Sequence, residues 1–546
     1  MARRVLVFLG VLWPLAGQAL AADHAGDSKL DAALLLRAHA PAGTSRVIVR
    51  TQDGRPASLR IRAAGGVPGR HLAALGGQVA RVPDAALHTL ASLPDVSGIS
   101  LDRPVVGSTQ YTSGAIGARW VAENLGLDGT GVGIALIDSG VSPWHADLDI
   151  DRIVHFADFI ESRSTPYDDY GHGTHVAGII AGSDANPDGG RRGVAPGADL
   201  IVLKALDASG HGYISNVIAA LDYAIANRDT YNIRVINLSV SAGVYESYDK
   251  DPLTLAARRA VDAGIVVVAA AGNLGRNSRG GVQYGGIAAP GNAPWVLTVG
   301  ASNHNATVDR SDDEVAAFSS RGPAAIDRTA KPDLVAPGVG IQSLAEPSSM
   351  LFAAHPTARR DLAFDRGSAS YLSLSGTSMA APVVAATVAL MLETKPSLSP
   401  NAVKAILQFT AVAHPDYDHR TQGAGFLNAR GAVLLARAFG GPGSAPSPEG
   451  ADPTAWSGRV VWNNAPVTGG VLTAEANAWK PGVVWGASTT PAGDPIVLGT
   501  LCGPADATCR GPAWTVICSP APAGCAAGKR AEGAPREEPV YSRRIH

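Results

Sequence analysis

From about residue 115 to 438 the chain switches repeatedly between two kinds of apolar pattern. Nearly continuous apolar runs occur at V-G-I-A-L-I (132–137), D-L-I-V-L-K (199–204), R-V-I-N-L-S-V (234–240), I-V-V-V-A-A-A (265–271) and W-V-L-T-V-G (295–300). Between and after them, helical periodicity runs through 215–227, 253–263, 378–393 and 400–412, the last with Ser399 placed to cap and Pro400 at the first helical position. An apolar run without polar alternation has no face to give to water, so each predicts a strand covered on both sides, as in a parallel sheet between helix layers. The expected fold class is therefore α/β: one doubly wound, mostly parallel domain over 115–438.

The flanks read differently. Arg3 and Arg4, the apolar run Val5–Leu15 and the small-residue site Ala19-Leu20-Ala21 make residues 1–21 a secretory signal peptide, which predicts an extracellular or periplasmic protein. No other run of about 18 apolar residues is apparent, so no transmembrane segment is expected. Residues 23–45 read as a linker. Over 46–105 short patterns suggest a compact α+β unit: strands at 46–50 and 58–62, a helix near His71, a helix at 83–90 and an extended stretch at 96–102. After Gly440 the chain turns rich in Pro, Gly and Ala. The similar segments R-V-V-W-N, G-V-V-W-G and P-I-V-L-G predict a small β-rich region over 450–525.

Charge and cysteine usage narrow the function. Lys+Arg is 45 and Asp+Glu 47, so the net charge is 45 − 47 = −2, a poor basis for a nucleic-acid partner. The four cysteines, Cys502, Cys509, Cys518 and Cys525, lie near the C-terminus without C-x-x-C spacing. In an exported chain two small disulfide loops, 502–509 and 518–525, are expected, with free thiols as the alternative.

The chemistry sits in a few segments. Asp138 ends the apolar run A-L-I-D, at the strand edge where α/β sheets gather their ligands. His172 opens a helix within D-D-Y-G-H-G-T-H, and Ser378 opens another within L-S-G-T-S-M-A-A-P. Serine is a weak nucleophile until an imidazole takes its proton, and that imidazole needs a carboxylate to fix its tautomer. Asp138, His172 and Ser378 supply all three, in the chain order Asp, His, Ser. Asn273 ends V-V-V-A-A-A-G-N and offers a carboxamide N–H to an oxyanion. The alternatives are His175 as the base and Ser373 or Ser375 as the nucleophile. An esterase would carry G-x-S-x-G with its serine first, and a zinc protease H-E-x-x-H; neither is present.

Together with R-G-V-A-P-G-A (192–198), F-S-S-R-G-P (318–323), K-P-D-L-V-A-P-G (331–338) and G-A-G-F-L-N-A (423–429), these segments resemble the subtilisin-type serine proteases, the subtilases, over roughly 128–430. The resemblance implies a serine endopeptidase with Asp138, His172 and Ser378 as its triad and Asn273 at the oxyanion. It also implies that the 46–105 unit is an inhibitory pro-domain, an intramolecular partner removed by self-cleavage. The segment 103–115 is the expected cleavage window, with Tyr111 the favoured site. Protein or peptide substrates would bind as an extended strand along Ser239, Val240 and Ser241 and along Ala270, Ala271 and Gly272, with Val240, Ala270, Ala271 and Ala288 around a small apolar pocket. No cofactor is required for the chemistry. Structural calcium is an expectation from the family alone, since no acidic loop of clear ligand spacing is apparent. A monomer is expected. Two departures from the family stand out. Ser241 replaces a glycine-like position and narrows the cleft, and the 36 residues between Gly338 and Ser375 exceed the family core, forming either a lid or rim over the cleft or a surface loop.

Overall fold

The computed structural model describes residues 26–102, 104–107, 115–183, 192–277, 279–305, 310–359, 370–438 and 456–462, and short strands at 465–466, 488–489, 495–500 and 514–518. The expected sheet forms. Its strands run in the order Glu314–Val315, Leu297–Asn303, Val266–Ala270, Ile233–Leu238, Gly133–Asp138, Asp199–Lys204 and Ile153–Asp158, with Leu334–Pro337 also paired to Leu297–Asn303. All pairs are parallel except that with Glu314–Val315. Alternate residues feed two cores. Val266, Val268 and Ala270 face one layer with the helices His172–Ala181 and Thr377–Thr394, while Val267 and Ala269 face the other with Ile214–Ala226 and Pro252–Asp262. Thr377–Thr394 is long and apolar enough to cross a membrane, but 89% of it is buried inside the fold, where it is the central core helix.

The N-terminal unit is larger than its sequence pattern suggests. The stretch expected to be a linker contains the helix Ala32–His39, capped by Asp31, whose carboxylate also accepts from Leu101 N and so ties the helix to the sheet. Two further expectations are reversed. Residues Ser58–Ala63 are a helix and Val67–Leu72, which contains His71, is a strand. Within S-L-R-I-R the alternation is too short to decide: only Ile61 is buried, Leu59 is exposed, and one helical turn meets the same pattern. The four antiparallel strands run Val67–Leu72, Gly77–Pro83, Thr44–Thr51, Val96–Leu101. One sheet face carries the unit's own helices and core. The other presents Ile48, Leu72 and Val79 to the helices Ile214–Ala226 and Pro252–Asp262 of the large domain.

That contact has a polar edge. The helix Ile214–Ala226 begins without a side-chain cap of its own. Asp102 of the N-terminal unit supplies one, accepting from Ser215 N at 2.9 Å and from Ser215 Oγ at 2.7 Å. Arg46 pairs with the same carboxylate at 2.5 Å and lies over the Tyr213 ring, while Arg70 donates to Ser215 O and Asn216 Oδ1. The unit therefore closes the positive end of a helix that starts beside the cleft.

The stretch between Gly338 and Ser375 is mostly scaffold. Ile341–Leu344 and Tyr371–Leu374 form an antiparallel pair, and Ile341, Leu344, Leu351, Tyr371, Leu372 and Leu374 are buried in the main core. C-terminal to the domain, Trp456, Ser457 and Gly458 dock on the end of the helix Pro400–Thr410. Cys502, Cys509 and Cys525 lie outside the described residues, and of Cys518 only the backbone is described, ending the strand Trp514–Cys518.

Candidate active site

Asp138 is the last residue of a fully buried central strand. Its Oδ1 accepts from His172 Nδ1 at 2.7 Å and from Ser139 N at 2.8 Å, and both side chains of the Asp–His pair are buried. His172 begins its helix directly after Gly171, whose φ of 96° a β-carbon would strain and whose added Cβ would lie 2.3 Å from Ser349 Oγ. A carboxylate on Nδ1 leaves Nε2 as the nitrogen that takes and returns a proton.

Ser378 is the second residue of the helix Thr377–Thr394. The reason its carbonyl holds still is four residues on. Pro382 has no N–H to donate back to Ser378 O. Ser239 Oγ fills that gap at 2.7 Å, and Asn237 Nδ2 in turn donates to Ser239 Oγ at 2.9 Å. Asn237 thus has a buried structural role. The Ser378 hydroxyl donates to Ser239 O at 2.9 Å. Because Leu238 pairs with Ile137 in parallel register, Ser239 and Asp138 are the next residues of adjacent strands, roughly 5 Å apart across the ladder. Strand register therefore gathers the carboxylate, the imidazole and the hydroxyl on one edge of the sheet.

Asn273 stands half-buried beside this edge. Its Oδ1 accepts from Thr377 N at 3.0 Å and from Thr377 Oγ1 at 3.2 Å, which orients the NH₂ end of the carboxamide away from residue 377. Gly272 N donates to Thr377 Oγ1, and Ala288 N to Ala271 O. Gly272 and Ala288 are close neighbours, whereas Ala271 is fully buried against Ile287 and Ala324, and Ala270 and Val240 are each only 2% exposed and belong to the two cores. Ser241 is half-buried at the rim of the cleft.

Of the alternatives, Ser375 is half-buried just before the helix Thr377–Thr394, and His175 and Ser373 are buried. His175 lies fully buried with Nε2 at 3.2 Å from both Ile341 O and Leu372 O, and burial with the neighbouring His172 charge pushes its pKa down to about 3. Ser373 is buried in the middle of the strand Tyr371–Leu374.

The sequence reading missed the residues that hold this edge in place. Asp168 accepts from Ser139 Oγ, Gly171 N, Thr174 N and Thr174 Oγ1, and burial pushes its carboxyl up despite those bonds. Lys204, paired in register with Asp138, is buried and donates to Ser139 O at 2.5 Å and Asp169 Oδ1 at 2.6 Å. A lysine ending the apolar run D-L-I-V-L-K was the available signal, since a buried cation requires a partner. Among the described residues no group of three or more His, Cys, Asp or Glu is placed to hold a metal ion.

The arrangement is that of a serine protease, and the comparisons agree. Residues 129–431 match the subtilase family, and the chain belongs to it. It is similar to serine protease AprX of Bacillus subtilis, with 39% identity over 361 residues, covering 65% of this chain and 78% of that protein. Subtilisin E of the same organism is 36% identical over 52% of this chain and 62% of its own length. Subtilisin Savinase of Lederbergia lenta is 34% identical over 57% of this chain and 94% of that protein. The chain is thus a subtilisin-like serine endopeptidase.

Proposed function

We propose that this endopeptidase is exported, acts as a monomer on protein or peptide substrates, and is made as a precursor that cleaves off its own N-terminal unit. Ser378 Oγ attacks the scissile carbonyl carbon while His172 Nε2 takes its proton. Asp138 stabilises the imidazolium. The Asn273 NH₂ and the Ser378 N–H at the helix N-terminus receive the oxyanion. Return of the proton to the leaving amine gives the acyl-enzyme, which water hydrolyses. Small disulfide loops at 502–509 and 518–525, read out by peptide mapping without reduction, and structural calcium, read out by thermal inactivation with and without a chelator, complete the reading.

The observation that carries the precursor reading is a strand. Pro104–Gly107, following the N-terminal unit, pairs antiparallel with Val240–Ser241 on one side and with His211–Tyr213 on the other. This is the pairing by which an extended substrate would enter the cleft. Gly107 pairs with Val240 and the Ser378 hydroxyl bonds Ser239 O, so the register favours the bond after Ser108 for the first cut. Ser108 and Tyr111 both lie outside the described residues, and both fall in the 103–115 window.

A casein digest with and without a serine-directed fluorophosphonate tests the endopeptidase reading; casein left intact by the mature protein would overturn it. In the same assay kcat/KM should fall as the pH drops through the range where an imidazole protonates, about 6.5 for an unperturbed histidine. Full kcat/KM at pH 4 would remove His172 as the base.

A second pH effect is expected at the contact between the two units. Burial pushes the Glu246 carboxyl up to about 7, with Asp251 and Asp31 adding to the rise and Ser100 and Arg50 opposing it. Asp31, Arg50 and Ser100 leave with the N-terminal unit. A carboxyl raised above its ordinary value binds in its protonated form. The hold is therefore full below about 4.5 and is lost as the pH rises through about 7, by up to roughly tenfold per unit. Residues 26–107 supplied in trans to mature Ser378→Ala protein should bind more weakly at pH 7 than at pH 5, and Glu246→Gln should flatten that slope. An unchanged slope in the variant would remove Glu246 from this role.

A further inference from the structure

The strand Pro104–Gly107 places a glycine at a position with an unusual lid. On one side Gly107 pairs with Val240. On the other, Val106 pairs with His211, so the next flank along belongs to Gly210, at the turn just before His211–Tyr213. Over Gly210 lies the Tyr170 ring. A β-carbon added at Gly210 would be 2.3 Å from Tyr170 Cζ, with both Cε atoms within 2.7 Å. The centroid of the same ring is 6.2 Å from that of the His172 ring, and Tyr170 is 7% exposed. The ring thus reaches from the His172 loop across to the 207–210 turn.

The backbone that carries the ring is held by the segment that exceeds the family core. Leu351 N donates to Tyr170 O and Met350 N to Asp169 O, both at 3.0 Å, from the short helix Met350–Ala354. Ser349, its cap, closes against Gly171. With its backbone held and its ring packed in the same core as Leu351, the side chain does not swing aside at little cost.

Strand alternation sets which side chains meet it. If the residue just before the cut turns toward Gly272 and Ala288, its predecessor turns to the opposite face, toward His172 and Tyr170. We propose that Tyr170 is a specificity-determining residue that selects glycine, or at most alanine, as the second residue before the scissile bond. Gly107 meets that requirement in the chain's own strand. The inference rests on the endopeptidase reading above. A bulkier side chain there has to displace the ring and lose its packing on Gly210, a penalty of the kind that discriminates substrates by about tenfold or more.

The test is a mapped digest. Mature wild type, Tyr170→Phe, Tyr170→Ala and Ser378→Ala proteins are each given a denatured cell proteome, and the cut bonds are identified by mass spectrometry. Wild type and Tyr170→Phe should show glycine enriched about tenfold over leucine at the second position before the cut, and Tyr170→Ala should lose that enrichment. A wild-type profile without glycine enrichment overturns the inference whether or not the alanine variant folds. So does an alanine variant that keeps the enrichment. If wild type makes no more cuts than Ser378→Ala, the endopeptidase reading fails instead, which is a separate result.

Discussion

Replacing Ser378 with alanine is expected to leave the precursor uncut and to lower kcat by roughly 10⁶-fold, the loss known from subtilisin when its serine is removed. The hydroxyl that bonds Ser239 O is then gone, and no neighbouring group takes over: His175 faces the Ile341–Leu344 and Tyr371–Leu374 strands, and Ser373 is buried within one of them. The substitution is mild for the fold, because the Ser378 carbonyl still accepts from Ser239 Oγ. Expressed without residues 1–21, wild type should yield a mature form whose N-terminus lies between 103 and 115. Sequencing that N-terminus separates a cut after Ser108 from one after Tyr111. The idea is falsified if purified Ser378→Ala protein matures at the same site and rate.

Asn273 should carry the next largest effect. Its carboxamide does two jobs: the oxygen anchors Thr377, and the NH₂ end remains for an oxyanion. Two substitutions separate them. Asn273→Leu removes both and should lose about 10²–10³ in kcat, the size of the effect in subtilisin, with KM little changed. It should also lower thermal stability, because a buried N–H loses its acceptor. Asn273→Asp keeps an oxygen for Thr377 and so should hold its melting temperature while losing at least as much activity. Retention of wild-type kcat by the aspartate variant would remove Asn273 from the oxyanion.

Much of this was legible because the signals were long or redundant. Six consecutive apolar residues, 132–137, followed by Asp138, specify a buried strand and place its last residue at a sheet edge. Likewise the helices at Ile214–Ala226 and Pro400–Thr410 begin within a residue of where periodicity and capping put them. The errors fell where the signal was short. Ala32–His39 is only two turns long and is held by Asp31, whose second partner is Leu101, 70 residues away. Ser58–Ala63 contributes one buried residue, Ile61, which helix and strand present equally well.

By itself the sequence determined the residue types that can do acyl transfer, the strands and helices that carry them, and the family to which they belong, since each is a local or near-local property of the chain. Tertiary structure alone decided how they act together. Parallel register sets Ser239 beside Asp138, a proline without an N–H is answered by a serine 143 positions earlier, and Lys204 finds its carboxylate across the strand ends. It also decided what fills the cleft. The 350–354 helix holds the backbone of Tyr170, whose ring lies over Gly210, and the Pro104–Gly107 strand lies between two others. These contacts join segments far apart in the chain, and their cost or gain depends on distances of a few tenths of an ångström. A pattern of apolar and polar letters does not contain that information.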